Sequence, residues 1–454
     1  MDTGRTQQPT DSASVMAKQG MEFAKPLHAR LGPLFTTWVL GEKTVVVGSL
    51  ELLRKCLSKE HELVEGDWPK ATSTLLGPHS VTATTGDAHL RMRKILNPAF
   101  TVKAVAEFVP GMVGIAQRCC ADWQKQGRVS GYDCSKEYTF LVALKIILGF
   151  KDADISASML ARCRSLFWVW LNGLFSFPID LPGFTFYKAM KANKELRAIL
   201  AENLQRLTEE SKQPLTELGA GAPQQLRTCA QNLLDIRDDD GKPLSQGTLL
   251  DLNMTLLFAG HDTSAATLMR LLFVLGTQPE VMEKLRAEQQ KVQAEHGEGI
   301  TEATLREMPY TEACVKEALR ISPIVGTIYR RTLCEFELGG YRIPKGRRVL
   351  LNMYQVLTSD ERFADNGSGD GPGKFCPERW LGDDAHRAGA WIPFGGGPRM
   401  CLGYILAIAE IKILLAVLAR TSTWRLLNPS EPYVPFPLPA PRDGLLMDIE
   451  ALPR

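Results

Sequence analysis

The sequence predicts a mostly helical α+β protein, in which one long helical section is flanked by short strands near both chain ends. Helical periodicity dominates from about Ala88 to Leu319, and few strand signals interrupt it. Short β-branched runs occur before that section, around Gly41, and return after Pro323. Strands that are separated from the helices in this way argue against a parallel βαβ series, in which the two alternate.

The first predicted element is a β-hairpin between Leu34 and Val47, because two β-branched runs meet at the turn signal Gly41-Glu-Lys. A helical pattern follows from Ser49 to Lys59.

Two breaks divide the long helical section. Two prolines and a glycine force a loop at Phe177–Gly183, and the acidic turn Asp238–Pro243 precedes another helix. After the helical section, strands are predicted at Phe336–Ile343 and Arg348–Asn352, and Asp365–Gly373 is a surface loop by composition.

Composition excludes several classes of protein. The chain has 53 basic and 51 acidic residues, so its net charge of +2 gives no sign of nucleic-acid binding. Ten cysteines without a secretory signal indicate free thiols in a reducing compartment. No run reaches about 18 consecutive apolar residues, so we expect no transmembrane anchor in this sequence. We expect residues 1–20 to be a disordered segment and residues 21–454 to form a single domain.

The most informative stretch is Ala390–Ala407. Its three glycines, Gly395 to Gly397, predict an irregular loop, and the apolar run from Leu402 predicts a helix. Cys401 would then lie at a helix N-terminus, where unpaired N–H groups and the helix dipole favour a thiolate that can bind iron. Arg399 is placed to pair with a propionate. A lone cysteine is more often a small buried hydrophobe, and the glycines could form a phosphate loop, although no Gly-Lys-Ser/Thr follows.

The ten residues Phe394–Gly403, Phe-Gly-Gly-Gly-Pro-Arg-Met-Cys-Leu-Gly, resemble the cysteine signature of the cytochrome P-450 superfamily at every fixed position. The resemblance implies the P-450 fold, with a long central helix over a haem b and small β-sheets, and a reaction that uses O2. It implies that Cys401 is the axial ligand of the haem iron. It also implies further contacts with the haem from Phe394, Gly395, Gly403, Ala259 and Gly260.

The segment Leu249–Leu275 is apolar nearly all round, which predicts a buried helix. It carries His261, Asp262 and Thr263, and buried polar groups need a partner or a role. Taken alone, Thr263 is a satisfied core threonine. The run Ala-Gly-His-Asp-Thr, however, resembles the oxygen-binding helix of the superfamily, which implies that Asp262 and Thr263 deliver protons. His261 occupies a variable position of that motif, and we assign it no role in catalysis or in binding the iron.

Glu317 and Arg320 are three residues apart and lie on one face of a predicted helix. Such a pair is usually a solvated surface ion pair of little energetic value. Arg379 follows in Phe375-Cys-Pro-Glu-Arg-Trp. The resemblance implies that the three residues form a structural ion triad that secures the cysteine loop.

His89 and Arg93 are four residues apart on one face of the predicted helix Gly86–Leu96. A basic helical stripe is usually a solvated face, but the resemblance implies that both residues, together with Arg330, bind the haem propionates. The remaining basic residues of this region are left for an outer face on which an acidic electron donor, an NADPH reductase or a ferredoxin, would dock: Arg91, Lys94 and Lys103.

Further motifs, including Phe177–Gly183 and Glu337–Gly346, resemble the retinoic-acid hydroxylases and their cyanobacterial relatives. The resemblance implies a haem-dependent monooxygenase that hydroxylates an apolar isoprenoid: a retinoid, apocarotenoid, sterol or other terpenoid. The substrate pocket would be lined by Trp68, Phe258, Val325 and Pro437.

Two alternatives remain open. One is a haem-thiolate enzyme that uses peroxide or isomerises its substrate, and the other is a haem sensor or carrier without turnover. We expect the protein to be cytoplasmic, or peripheral on a membrane that faces the cytosol.

Overall fold

The computed structural model describes residues 20–39, 41–212, 227–238, 240–363, 371–382, 385–434 and 438–453. The chain divides into two compact units. The first unit comprises Met1–Asp67, Ala116–Lys136 and Thr263–Arg454, and the second comprises Trp68–Ile115 and Glu137–Asp262. The segment predicted to be disordered covers residues 1–20, and residues 1–19 of it lie outside the described residues. The single domain over residues 21–454 stays a prediction.

The first unit contains a five-stranded sheet. Glu42–Val47 runs parallel to Arg348–Asn352, and the other pairings are antiparallel. Val45 and Val47 pack into one core cluster and Val46 into another, so the second half of this strand is apolar on both faces. The strands follow one another in the order Leu34–Val39, Glu42–Val47, Arg348–Asn352, Thr327–Thr332 and Val64–Gly66.

The predicted hairpin is confirmed, since Leu34–Val39 pairs with Glu42–Val47 across a turn in which Gly41 has a φ of 77°. The predicted strand over Phe336–Ile343 is instead a second hairpin, because Gly339 and Gly340 adopt positive φ and reverse the chain. Other strands were not predicted, since their runs are short: Thr327–Thr332, Arg128–Ser130, Ser422–Leu426, Tyr433–Val434, Ala440–Pro441 and Leu446–Ala451.

Helices account for most of the described residues, as predicted. The long helix, Gln246–Thr277, contains 32 residues and includes the predicted buried segment. The remaining α-helices are Lys25–Leu31, Leu50–Ser58, Lys70–Leu76, Gly86–Leu96, Val102–Gln126, Gly131–Val142, Ala157–Leu174, Thr185–Ser211, Cys229–Leu234, Pro279–His296, Glu302–Arg306, Pro309–Ile321, Met353–Ser359, Ala385–Ala388 and Tyr404–Thr421.

The second unit is built from helices that pack closely. Ala157–Leu174 approaches Thr185–Ser211 at Gly173, where an added Cβ would lie 2.1 Å from the Cβ of Ala189. The segment between these helices contains the predicted loop Phe177–Gly183. At the second predicted break, the amide of Asp238 donates to the carbonyl oxygen of Lys242 at 2.8 Å and closes a turn. Both predicted breaks of the helical section are therefore confirmed.

Among the described residues, a membrane could not be crossed by any one helix, judged by length and apolar composition. Gly86–Phe100 and Val102–Gln126 satisfy these criteria only when taken together, and they are bent by 53° relative to each other.

Candidate functional site

The cysteine loop, Phe394–Gly403, belongs to the first unit and presents an exposed thiol on Cys401. The amide of Cys401 donates to the carbonyl oxygen of Phe394 at 2.9 Å. Gly397 has a φ of 65°, and an added Cβ there would lie 1.9 Å from the carbonyl oxygen of Leu57. Backbone contacts therefore fix the loop, and glycine is the residue that permits them.

The helix after the loop begins at Tyr404, two residues later than the predicted start at Leu402. Leu402 and Gly403 form a turn, and the carbonyl oxygen of Gly403, the N-cap, accepts from the amide of Ala407 at 2.9 Å. Cys401 therefore lies in the loop just before the helix, and its predicted position at the helix N-terminus is corrected accordingly.

Apolar side chains near the start of this helix are only partly covered by protein atoms. Ile405 and Ile408 are partly exposed, whereas Ile411 and Ile413 are buried one turn further along. An exposed thiol on a rigid loop beside uncovered apolar side chains suits a flat apolar cofactor with a metal that binds thiolate.

The predicted ion triad is present and fully buried. Both oxygens of Glu317 accept from Arg320 at 2.8 Å, and Glu317 Oε1 also accepts from Arg379 Nε at 3.2 Å. Trp380 Nε1 donates to Glu317 Oε2 at 2.9 Å. Charge-assisted bonds satisfy both carboxylate oxygens, so the buried carboxylate is fully paired.

An aromatic series connects the triad with the cysteine loop. The ring of Trp380 lies 6.0 Å from that of Trp391, and Trp391 lies 5.7 Å from Phe394. Trp391 Nε1 also donates to the carbonyl oxygen of Lys316, beside Glu317, at 3.1 Å. Phe394 is thus connected to Glu317 through Trp391 and Trp380. That the triad secures the cysteine loop stays a prediction.

Arg330 and Arg399, which were predicted to bind propionates, both contact the carboxylate of Glu60. We call Glu60, Arg330 and Arg399 the Glu60 cluster. Arg330 Nε lies 2.6 Å from Glu60 Oε2, and Arg399 Nε lies 2.5 Å from Glu60 Oε1. Burial lowers the pKa of the Arg399 guanidinium, and Glu60 opposes that effect. Sequence reasoning missed Glu60, because no local pattern brings it to residues roughly 270 and 340 positions away.

In the second unit, His261 of the long helix has two polar contacts. His261 Nδ1 lies 2.8 Å from the hydroxyl oxygen of Thr139, and its Nε2 lies 3.3 Å from Asp262 Oδ1. The rings of Phe140 and Phe167 contact the imidazole edge-on, at 4.9 and 5.3 Å. His261 and Asp262 are both buried. The imidazole therefore holds Oδ1 of the Asp262 carboxyl group at a position that bulk water does not reach.

One stretch of the long helix is not covered by protein atoms. Ala259 is exposed, and Phe258 and Gly260 are partly exposed, although the preceding seven residues are buried. A Cβ on Gly260 would lie 2.8 Å from Ile147 Cδ1, and the ring of Phe258 lies 6.0 Å from that of Trp170. Small residues thus form a flat helical surface beside an aromatic side chain.

The other predicted residues are found as follows. In Gly86–Leu96, His89 is buried and Arg93 is partly exposed, while Arg91, Lys94 and Lys103 are exposed. Trp68, in the second unit, is partly exposed, and Val325, in the first, is exposed. Pro437 lies outside the described residues.

Glu410 is a buried acid that sequence reasoning did not single out. It lies in Tyr404–Thr421, and its side chain is hydrogen-bonded to Ser264, the residue after Thr263. Burial raises the pKa of its carboxyl group to about 8, and the bond to Ser264 opposes this only in part. Burial therefore favours the protonated form of Glu410.

The residues of each unit fit a haem. The first unit has an exposed thiol next to apolar side chains, and its Glu60 cluster carries two positive charges against one negative charge, which suits an anionic propionate. The second unit has the flat surface at Ala259 and Gly260, and a buried His89.

The family described as Cytochrome P450 matches residues 14–448. The chain is 32% identical to "Putative cytochrome P450 120" of Synechocystis sp., over 95% of this chain and 92% of that protein. It is 30% identical to cytochrome P450 26A1 of Danio rerio, over 90% and 82% of the two chains. It is 31% identical to abscisic acid 8'-hydroxylase 1 of Arabidopsis thaliana, over 92% and 84%. The solved structure "Retinoic acid bound cyanobacterial CYP120A1" matches with a TM-score of 0.84 and 30% identity, over 97% and 96%.

Proposed function

From the premise that this chain belongs to the cytochrome P450 family, we propose that it hydroxylates an apolar isoprenoid at a haem whose iron is held by Cys401. The protein is an oxidoreductase of the monooxygenase type, and its cofactors are haem and O2. The observation that carries the proposal is the exposed thiol of Cys401 on a loop fixed by the contact of Gly397 with Leu57. Residues 21–454 would act as one catalytic domain.

The first unit and the second unit each contain residues that would contact the haem. Cys401 would supply the thiolate, and Arg330 and Arg399 would bind propionate from the Glu60 cluster. A haem with a thiolate ligand supplies reductive cleavage of O2, in which one oxygen atom enters a C–H bond of the substrate and the other leaves as water. The remaining contacts are assigned to His89, Arg93, Phe394, Gly395, Gly403, Ala259 and Gly260.

Asp262 and Thr263 would move the protons that this reaction consumes. The buried Asp262 carboxyl group would relay a proton, and His261 Nε2, 3.3 Å from Asp262 Oδ1, would hold it in place. Thr263 follows it directly on the long helix and is partly exposed, so its hydroxyl can pass that proton on. A haem sensor or carrier would not need this pair, and product formation with NADPH and a reductase separates the two functions.

The substrate class follows from the relatives and from the apolar residues of the predicted pocket. Retinoic acid and abscisic acid, which appear in the names of the relatives, are both isoprenoid acids. Phe258 is partly exposed on the flat surface of the long helix, and Trp68 is also partly exposed. Trp68, Phe258, Val325 and Pro437 would line the pocket, which suits a long ligand with few polar groups.

A spectral titration tests the substrate class. Retinoids, apocarotenoids, sterols and diterpenes are added to the haem-loaded protein, and the shift of the haem absorption band is followed. Phe258→Ala should weaken the correct ligand by roughly tenfold or more, because a buried aromatic contact contributes about 1.5–3 kcal/mol. Tyr341→Ala, an aromatic truncation in the hairpin of the first unit, should leave the affinity unchanged. Tight binding of fatty acids, with no response to any isoprenoid, would contradict the substrate class.

The electron donor would be an NADPH reductase or a ferredoxin that docks on exposed basic residues. Arg91 and Lys94 line a cavity of about 440 Å³ together with Arg237 and Asp238, so positive charge predominates there. Charge reversal of Arg91, Lys94 or Lys103 should slow reduction by the donor but leave substrate affinity unchanged. The rate should also fall with salt, since the Debye length is about 8 Å at physiological ionic strength. A salt-independent rate would contradict docking at this face.

Contact with a membrane surface is proposed for the segment Phe175–Phe184 of the second unit. Phe177 is 85% exposed and Leu181 is 58% exposed, which is unusual for large apolar side chains. The protein would be cytoplasmic, or peripheral on a membrane facing the cytosol. Co-sedimentation with phospholipid vesicles tests this: Phe177→Asp should reduce binding, whereas Trp38→Asp, at another exposed aromatic residue, should not. Equal losses from both variants would contradict a role for this segment.

A further inference from the structure

The Glu60 cluster joins the cysteine loop to the five-stranded sheet through one carboxylate. Glu60 Oε1 accepts from Arg399 Nε, two residues before Cys401, and Oε2 accepts from Arg330 Nε in Thr327–Thr332. The three side chains are at most 8% exposed. Each carboxylate oxygen of Glu60 therefore holds one guanidinium group. The distance between the two guanidinium groups is set by the distance between the two carboxylate oxygens.

Both bonds are made by the Nε–H group, at the side edge of each guanidinium. A guanidinium is a rigid planar fork of five N–H donors, so one held at Nε still has N–H groups at its far end that point away from that carboxylate. Arg330 uses Nη1 to donate to the carbonyl oxygen of Tyr329 at 2.9 Å, which fixes the plane of the fork further. Charge-assisted bonds at the Nε edge thus hold both guanidinium groups in fixed planes on the same carboxylate.

The backbone around Glu60 is shaped to hold this arrangement. His61 has a φ of 73°, which is uncommon for a residue other than glycine, and its amide donates to the carbonyl oxygen of Val64 at 2.7 Å. Gly66 ends the strand that follows this turn, and a Cβ there would lie 3.1 Å from Arg399 Cζ. A strained residue persists where the surrounding structure requires it, so the position of Glu60 is tightly determined.

We propose that Glu60 is a positioning residue for the cofactor, because it aligns Arg330 and Arg399 as a paired receptor for haem propionate. This rests on the proposed function, in which haem is bound at Cys401. The cluster carries a net charge of +1, which one propionate would neutralise, so the buried charges would then balance. Without the carboxylate of Glu60, the two guanidinium groups would repel each other and the receptor would lose its geometry.

The experiment compares Glu60→Gln with Glu62→Gln, which removes a carboxylate from the same turn. Glu62 is exposed, and its carboxylate contacts Lys59 Nζ at 2.8 Å. Each protein is loaded with haem b or with haem dimethyl ester, in which both propionates are esterified, and transfer of haem to excess apomyoglobin is timed. We expect Glu60→Gln to accelerate the loss of haem b by roughly tenfold or more, because the amide oxygen can accept from only one arginine in the original geometry. With the ester, Glu60→Gln should lose haem as fast as the wild type, and Glu62→Gln should match the wild type throughout.

Equal acceleration by Glu60→Gln for haem b and for the ester would overturn the proposal, since Glu60 would then act on the fold alone. No acceleration for haem b would overturn it as well. If Glu60→Gln does not fold, Glu60→Asp, which keeps the charge but shortens the side chain, is measured in the same way with the same expectations. Failure of the wild type to give the far-red-shifted band of the reduced carbon-monoxide complex would instead contradict the proposed function.

Discussion

Glu410→Gln should remove a pH dependence from the stability of the protein. Glu410 is 2% exposed, and burial raises the pKa of its carboxyl group from 4.5 to about 8. The folded protein therefore keeps a proton that the unfolded chain releases above about 4.5. Its contribution to stability is complete below that pH and is lost as the pH rises to about 8.

The size of the effect follows from the two pKa values. Each pH unit between them costs about 1.4 kcal/mol, so the loss reaches roughly 5 kcal/mol at its upper limit. Glutamine resembles the protonated acid in shape and can keep a hydrogen bond to Ser264, but it does not titrate. Glu410→Gln should therefore lie within about 1 kcal/mol of the wild type near pH 5 and exceed its free energy of unfolding by roughly 3–5 kcal/mol near pH 8.5.

Urea unfolding of the haem-loaded protein, followed by circular dichroism at about pH 5 and about pH 8.5, measures this difference. Glu450→Gln is the control, because Glu450 is exposed. Other titrating groups affect the wild type and the variants alike and cancel in the comparison. A difference between Glu410→Gln and the wild type that stays constant across this pH range would refute the reasoning.

Three further predictions concern the haem site. Cys401→Ser should abolish the far-red-shifted band of the reduced carbon-monoxide complex, and a variant that keeps the band would mean that another residue binds the iron. Thr263→Ala should still bind haem and substrate but form less product per NADPH consumed, because proton delivery is disturbed; unchanged coupling would remove Thr263 from the mechanism. Gly397→Ala should lower haem content by roughly tenfold or more, because its Cβ would lie 1.9 Å from the carbonyl oxygen of Leu57. Gly396→Ala, whose Cβ would lie 3.5 Å from Leu57 Cδ1, should retain haem, and equal losses in both variants would contradict this explanation.

Local patterns predicted much of the fold. The hairpin at Gly41, the breaks at Phe177–Gly183 and Asp238–Pro243, and the long buried helix all follow from periodicity and turn residues. Short C-terminal strands such as Leu446–Ala451 were missed, because a strand of this kind is stabilised by its distant partners rather than by its own residues.

The sequence by itself determined the residue types of the site and the family to which the chain belongs. The spacing of Glu317 and Arg320 also places them together on one helical face, and the resemblance to the superfamily added Arg379 to them as a triad. Such inferences succeed because they depend on neighbours in the chain or on a long motif.

Only the tertiary structure showed that Arg330 and Arg399 share Glu60, that His261 contacts Asp262 and Thr139, and that Glu410 is buried next to Ser264. These contacts join residues that are mostly far apart in sequence and have no pattern in common. Charge, orientation and protonation at the site depend on burial and on distance in space, and sequence spacing fixes neither.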